Sequence, residues 1–192
     1  NRIIAISPFI ESRLLSAGFS PDRVCYIPNS VPNLAGRVFD PPSTSREVLY
    51  VGRIDHNKGL KYLLQAFAGI QNESARLTIV GDGPTRDALE TTVEHDHRIQ
   101  FLGWRAPDEV AEYYRRVRMV IVPSICHEVM NTVICEAQSW GKPVIATNVG
   151  ANTELVSDGQ DGFVIPHSNI NIMREKIVTL LENDGKTDQF GR

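Results

Sequence analysis

The chain has little cysteine, few aromatics, no basic excess and no long apolar run, and each shortage removes a class of function. Its three cysteines, Cys25, Cys126 and Cys135, form no C-x-x-C pair and leave one over. That fits a reducing compartment better than a disulfide framework. Aromatics make up 7% of the residues and are not interleaved with Arg or Lys, while the net charge is -3. No nucleic-acid partner is expected from such a balance, because those partners need a basic face. No apolar run approaches the roughly 20 residues that span a bilayer. No leader segment is visible, and a start at Asn1 rather than Met reads as part of a longer protein. Cys126-His127 with Cys135 lacks zinc spacing, and His95-Asp96-His97 reads as a solvated turn, so no metal is expected. No Ser-His-Asp or Cys-His arrangement announces a covalent mechanism. These absences predict a soluble, cytoplasmic chain.

What is present is a rhythm. Hydrophobic residues make up 42% of the chain, enough for a sizeable core. Short β-rich runs recur at 47–51, 75–80, 98–102, 119–122, 143–146 and 162–165. Between the first two, Leu60, Leu63, Leu64 and Phe67 repeat at helical spacing. Ile170, Met173, Ile177, Leu180 and Leu181 do the same after the last. Near-continuous apolar strands alternating with helices predict an α/β fold, a Rossmann-like parallel sheet covered on both faces. Such a sheet binds ligands at the carboxyl ends of its strands.

The first 46 residues read differently. Arg2 to Ser7 resembles a strand, Phe9 to Ala17 a helix, and Val24 to Asn29 a second strand. Residues 1–33 are expected to be the C-terminal remnant of a preceding domain, since one βαβ unit is too small to stand alone. Residues 34–46, rich in Pro and Ser, form the expected linker, and 47–192 the main ligand-binding domain.

Three strand-to-helix loops hold unusual residues. In Val51-Gly52-Arg53-Ile54-Asp55-His56-Asn57-Lys58-Gly59, Gly52 permits close backbone approach and two cations stand near a helix start. With the helix dipole, Arg53 and Lys58 suit a diphosphate. By itself the loop reads equally as a surface turn whose cations pair with carboxylates, and it lacks the Walker A pattern. Gly81-Asp82-Gly83-Pro84 reads mainly as a tight turn lining a cleft, with Pro84 in the first helical turn. It lacks the third glycine of a dinucleotide fingerprint, so a dehydrogenase is not expected.

The third loop, HEVMNTVICEA at 127–137, carries Glu128 and Glu136 with seven residues between them. Asn131 is expected to cap the helix, leaving the Thr132 and Val133 amides free. Phosphate oxygens want those amides, and sugar hydroxyls want carboxylates. The bland alternative is helix capping and dipole compensation by the two acids.

Taken together, YVGRIDHNKGLKYLLQAF, LTIVGDGP, IQFLGW, VPSICHEVMNTVICEAQSWGKPVIATNVGANTELV and DGQDGFVIP, in that order, resemble the retaining glycosyltransferases of family 4, which have the GT-B fold. The match covers roughly 48–182, the family's donor domain, and VCYIPNSV resembles the segment leading into it. The resemblance implies that Arg53 and Lys58 contact the donor diphosphate, Glu128 the transferred sugar and Glu136 the ribose. It also implies backbone contacts from Gly52, Gly81, Asn131, Thr132 and Val133, with the loop at Trp104 flanking the base. Gly150 and Glu154 resemble a loop beside the cleft. Departures are Val129-Met130-Asn131 after the first glutamate, where small and aromatic residues with glycines are usual, and Asn29-Ser30 in place of Asn-Gly. Most of the family's acceptor domain and its final crossing helix have no counterpart in the sequence.

The function this implies is transfer of a hexose from a UDP- or GDP-sugar to an acceptor hydroxyl, in glycan or polysaccharide synthesis, without cofactor or metal. The partners implied are the donor and an N-terminal acceptor domain, and the whole protein could work at a membrane surface. The 192 residues alone are expected to be inactive. Two rivals stay open: a GT-B nucleotide-sugar epimerase and a non-catalytic nucleotide-binding module.

Overall fold

The computed structural model describes residues 2–31 and 39–191. It opens with β1 (Ile3–Ala5), α1 (Pro8–Ser16) and β2 (Val24–Tyr26). The two strands pair in parallel, with Ile3 opposite Val24, as a sheet of their own. Both are shorter than their apolar runs suggest. Ser7 begins α1 by accepting the Ile10 amide at 3.3 Å, with Pro8 at the first helical position. No residue of α1 is buried.

Of the expected linker, residues 34–38 lie outside the described residues. Residues 39–46 are fastened to the main domain. Lys142 Nζ donates to the Asp40 carbonyl at 2.9 Å, and Phe39 packs edge-on to Trp140 with centroids 5.3 Å apart. The fully buried Arg118 donates to the carbonyls of Ser43 (2.9 Å), Ser45 (3.1 Å) and Leu180 (2.5 Å), and to Asp184 at 2.6 Å. A buried cation is tolerable only when its donors are met, and here carbonyls meet them.

The main domain runs β3 (Glu47–Val51), α2 (Leu60–Ala68), β4 (Arg76–Val80), α3 (Arg86–Thr92), β5 (Ile99–Gly103), α4 (Pro107–Arg116), β6 (Met119–Val122), α5 (Thr132–Ser139), β7 (Val144–Thr147), α6 (Asn152–Leu155), β8 (Gly162–Ile165), α7 (Ile170–Glu182) and α8 (Asp184–Phe190). All six β-rich runs become strands of one parallel sheet, ordered β5-β4-β3-β6-β7-β8. Alternation along each strand decides the two faces. Val48, Tyr50, Met119 and Ile121 pack with Leu63, Phe67 and Ile177 of α2 and α7. Leu49, Val120 and Val122 pack with Tyr114, Ile134 and Ala137 of α4 and α5. The expected α/β parallel sheet with helices on both faces is therefore present.

Sequence order moves outward from β3 to β5, then returns to β6 on the other side of β3. The strand order reverses there, and the loops leaving β3 and β6 diverge to opposite faces. Open α/β sheets bind ligands in the crevice such a reversal makes.

Candidate functional site

Both loops of that crevice carry the residues singled out above. Leaving β3, Asp55 organises the first loop. Its Oδ1 accepts the Asn57 and Lys58 amides at 2.9 and 3.1 Å, and its Oδ2 pairs with Arg53 Nε at 3.2 Å. Tyr50 donates its hydroxyl to the Arg53 carbonyl at 2.8 Å. Burial, with Asp55 and Glu128 adding, pushes that phenol far above its usual pKa, so it remains a donor. The Ile125 amide then ties the second loop to the first through the Asn57 carbonyl, at 2.8 Å.

Glu128 lies at the junction. It is 8% exposed and takes a bidentate contact from Lys58 Nζ, 2.7 Å to Oε1 and 3.0 Å to Oε2. Ser124 donates to Oε1 at 2.5 Å. Its carbonyl accepts the Ala151 amide at 2.8 Å. Gly150 backs this loop closely: with φ at 54°, a Cβ there would lie 2.3 Å from the Glu128 carbonyl oxygen. The Lys58 ammonium and the Glu128 carboxylate together border a cavity of about 170 Å³ that also takes in Gly52, Arg53, Met130, Asn131, Thr132 and Val133.

Glu136 faces a second, larger cavity of about 480 Å³, with Trp104, Arg105, Tyr114 and Trp140. Tyr114 donates its hydroxyl to Glu136 Oε2 at 2.8 Å. Burial first, and Glu136 second, holds this phenol well above its usual pKa, which keeps the proton on the tyrosine. Val51 and Val133 border both cavities, so the two adjoin across the start of α5. Between the two glutamates the Thr132 and Val133 amides make no hydrogen bond among the described residues. They are free donors at a helix N-terminus.

Several expectations need correction. Asn131 occupies the cap position of α5, but its side chain makes no capping bond; its carbonyl takes the Ile134 amide instead, at 3.1 Å. Gly81 borders neither cavity. It lies behind Gly52, whose carbonyl oxygen would be 1.9 Å from a Cβ on Gly81. Pro84 precedes α3, which starts only at Arg86. Asp96 is not a solvated turn residue: it pairs with the buried Arg98 at 2.7 Å, which holds the carboxyl below its usual pKa. Arg53 is 68% exposed and Trp104 69% exposed, so both border their cavities from the solvent side. Glu154 is exposed in the first turn of α6.

Sequence reasoning passed over Asp55, Ser124 and Tyr114, the residues that hold Arg53, Glu128 and Glu136. Only Asp55 left a local signal, an Asp preceding Asn57 and Lys58 as in an Asx turn. Among the described residues, no group of three His, Cys, Asp or Glu side chains is placed to hold a metal. No helix among them is long and apolar enough to cross a membrane.

Known proteins resemble this chain in sequence and in fold. The family model described as "Glycosyl transferases group 1" matches residues 45–183. An uncharacterized glycosyltransferase of Methanocaldococcus jannaschii is 34% identical over 138 residues, 71% of this chain and 38% of that protein. The D-inositol 3-phosphate glycosyltransferase of Corynebacterium glutamicum is 30% identical over 202 residues, covering all of this chain and 46% of that protein. The chain thus spans less than half the length of these curated relatives. Among solved structures, Anabaena HepE in complex with UDP and glucose has a TM-score of 0.86 at 24% identity, over 99% of this chain and 56% of that one. Sucrose-phosphate synthase from Thermosynechococcus elongatus has a TM-score of 0.85 at 26% identity, over 98% and 51%. The likeness to HepE speaks for the fold alone. The family match rests on the sequence, and by it this chain belongs to the group 1 glycosyltransferases.

Proposed function

We propose that this chain is the donor-binding domain of a retaining, family 4 hexosyltransferase that takes a UDP- or GDP-sugar. The observation that carries the reading is the pair of adjoining cavities, one at the buried Glu128 and one at the partly buried Glu136, with the Thr132 and Val133 amides between them. A nucleoside diphosphate sugar has the same order of parts. Its base and ribose suit the cavity of Trp104 and Glu136, its phosphates the free amides with Arg53 and Lys58, and its sugar the enclosure at Glu128.

In this reading Lys58 serves two groups. Glu128 fixes the ammonium at the cavity wall, where it meets a phosphate oxygen while the carboxylate accepts sugar hydroxyls. Negative charge grows on the diphosphate as the glycosidic bond breaks, and fixed donors aimed at that charge lower the barrier. Arg53, Lys58 and the two amides supply those donors without calling on a metal. The acceptor would approach from a preceding domain, of which residues 1–33 are the proposed remnant, and the whole protein would build glycans or polysaccharide in the cytoplasm or at a membrane surface. Catalysis needs the reacting carbon enclosed from both sides, so the chain alone binds donor and transfers nothing.

Calorimetry with UDP, GDP and their sugars tests this. Glu136→Gln should weaken bare nucleotide and nucleotide-sugar alike, while Glu128→Gln should weaken the sugar-bearing ligand more than bare nucleotide. Arg53→Ala should cost about 1.5–3 kcal/mol of nucleoside diphosphate affinity, the range for charged hydrogen bonds, and much less for a nucleoside. Equal losses from both glutamine substitutions on bare nucleotide would overturn the two-ended grip.

A further inference from the structure

The loop bearing Glu128 is touched from outside the main domain. Phe9 of α1 packs on His127 with ring centroids 5.3 Å apart and planes at 38°. Just past β2, the Asn29 amide donates to the Met130 sulfur at 3.3 Å. His127 precedes Glu128 directly, and Met130 follows two residues later on the cavity wall. Two separate points of the N-terminal βαβ unit therefore grip the loop on either side of its carboxylate.

Neither contact serves the core of α1. That helix buries none of its residues, and His127 is exposed, so the ring pair adds little to the packing of either unit. Arg13, one turn along α1, places its guanidinium 5.3 Å from the Phe9 centroid, which holds the ring in its place. Behind the loop, Gly150 and Ala151 press on the Glu128 backbone. The loop is thus clasped between the main domain on one side and the βαβ unit on the other.

We propose that Phe9 and the Asn29 amide are positioning elements: they set the place of loop 126–131, and through it the fit of Glu128 and Met130 to the donor sugar. The ligand part rests on the function proposed above; the positioning part does not. Nothing at the Glu136 end is touched by the βαβ unit among the contacts described, so the effect is confined to the sugar half of the site. Movement of the βαβ unit would then be felt as a change in sugar affinity at unchanged nucleotide affinity.

The experiment has two arms, both on the chain carrying Phe9→Ala, with Phe9→Tyr as the conservative partner. In the first, amide hydrogen exchange is followed without ligand. Residues 126–131 should exchange faster in Phe9→Ala and regain protection in Phe9→Tyr, while β3 and β4 stay unchanged. Unaltered exchange in the loop overturns the proposal, as does a general loosening that includes β3 and β4. In the second, calorimetry compares UDP with UDP-glucose and GDP with GDP-mannose. Phe9→Ala should weaken the sugar-bearing ligand by about tenfold, within the usual range of coupling between sites, and leave the bare nucleotide unchanged. Equal weakening of both ligands overturns the link to the sugar. If the unaltered chain binds no nucleotide while the loop still loosens in Phe9→Ala, the proposed function fails and the positioning stands.

Discussion

Glu128 and Glu136 share one loop-helix segment, yet the first is closed in by Lys58 and Ser124 while the second leans on the single phenol of Tyr114. Glu128 lies where both crevice loops and the loop after β7 converge, so its neighbours come from three strand ends. Glu136 sits a turn into α5, with α4 across from it and solvent beyond. The contrast matches what each would be asked to do. A carboxylate choosing among sugar hydroxyls gains from a fixed place, since a misplaced acceptor loses its hydrogen bonds. One that holds a common ribose needs access more than rigidity.

The comparison breaks hardest at Gly150. Its φ of 54° is a conformation that side chains rarely adopt, and a Cβ would lie 2.5 Å from the Glu128 amide nitrogen. Gly150→Ala should cost about 3–4 kcal/mol in urea unfolding, with backbone strain and steric overlap combined. A loss under about 1 kcal/mol would show a loop that yields freely, and Glu128 would then be no more fixed than Glu136.

Next comes Lys58. Its side chain is 33% exposed, which softens the penalty, but removing it strands a carboxylate that is 10% exposed. Lys58→Ala should destabilise the chain by about 1.5–3 kcal/mol, the range for a lost charged hydrogen bond. Lys58→Ala with Glu128→Gln should recover part of that loss, because the unpaired charge has gone. A double variant as unstable as the sum of the singles would show that the two side chains do not interact.

The Glu136 side can be probed from the far end of its helix. After α5 the chain turns through Lys142, which is 1% exposed. Burial pushes its ammonium down from the usual lysine range to about 8. The unfolded chain keeps its proton up to about pH 10.4. Above pH 8 the unfolded state therefore holds more protons, and stability rises with pH; below pH 8 both states are charged and the contribution is flat. Measured against Lys142→Met, the unaltered chain should gain about 1–2 kcal/mol between pH 8 and 9.5, at 1.36 kcal/mol per unit at most. A difference between the two proteins that does not change over this window would mean the ammonium is solvated.

The smallest effect is expected at Tyr114. Water replaces its hydroxyl on the half-exposed Glu136, so Tyr114→Phe should cost about 0.5–1.5 kcal/mol of stability. The more telling measurement is ligand affinity, which should fall alike for bare nucleotide and nucleotide-sugar. A selective loss of the sugar-bearing ligand would erase the division between the two glutamates.

The sheet was legible because its inner strands are buried on both faces and so read as near-continuous apolar runs, with only the edge strand β5 broken by the exposed Gln100. β3, β6 and β8 match their runs residue for residue, while β4, β5 and β7 begin one residue later and β5 and β7 also end one residue later. The cavity-lining residues were legible too, because cations, glycine and paired acids stand at strand ends in sequence as in space. What was hidden is what holds them. Ser124 is four residues from Glu128 and Tyr114 is 22 from Glu136, and nothing local distinguishes either from an ordinary loop serine or core tyrosine. Their roles arise from strand pairing and helix packing. Asn131 holds the cap position that its type predicts, but its carbonyl takes the Ile134 amide and its side chain leaves the Thr132 and Val133 amides unpaired.

Lys58 and Glu128 are 70 residues apart, and they meet only because β3 pairs with β6 after β4 and β5 have gone the other way. The charge pair can therefore form no earlier than the pairing of β3 with β6. Loop closure over such a span is slow beside hairpin or helix formation, so the site should appear late on the folding pathway. A ligand that bridges the two loops binds the assembled sheet and not its parts, and it would slow global unfolding while leaving the fraying of outer helices untouched.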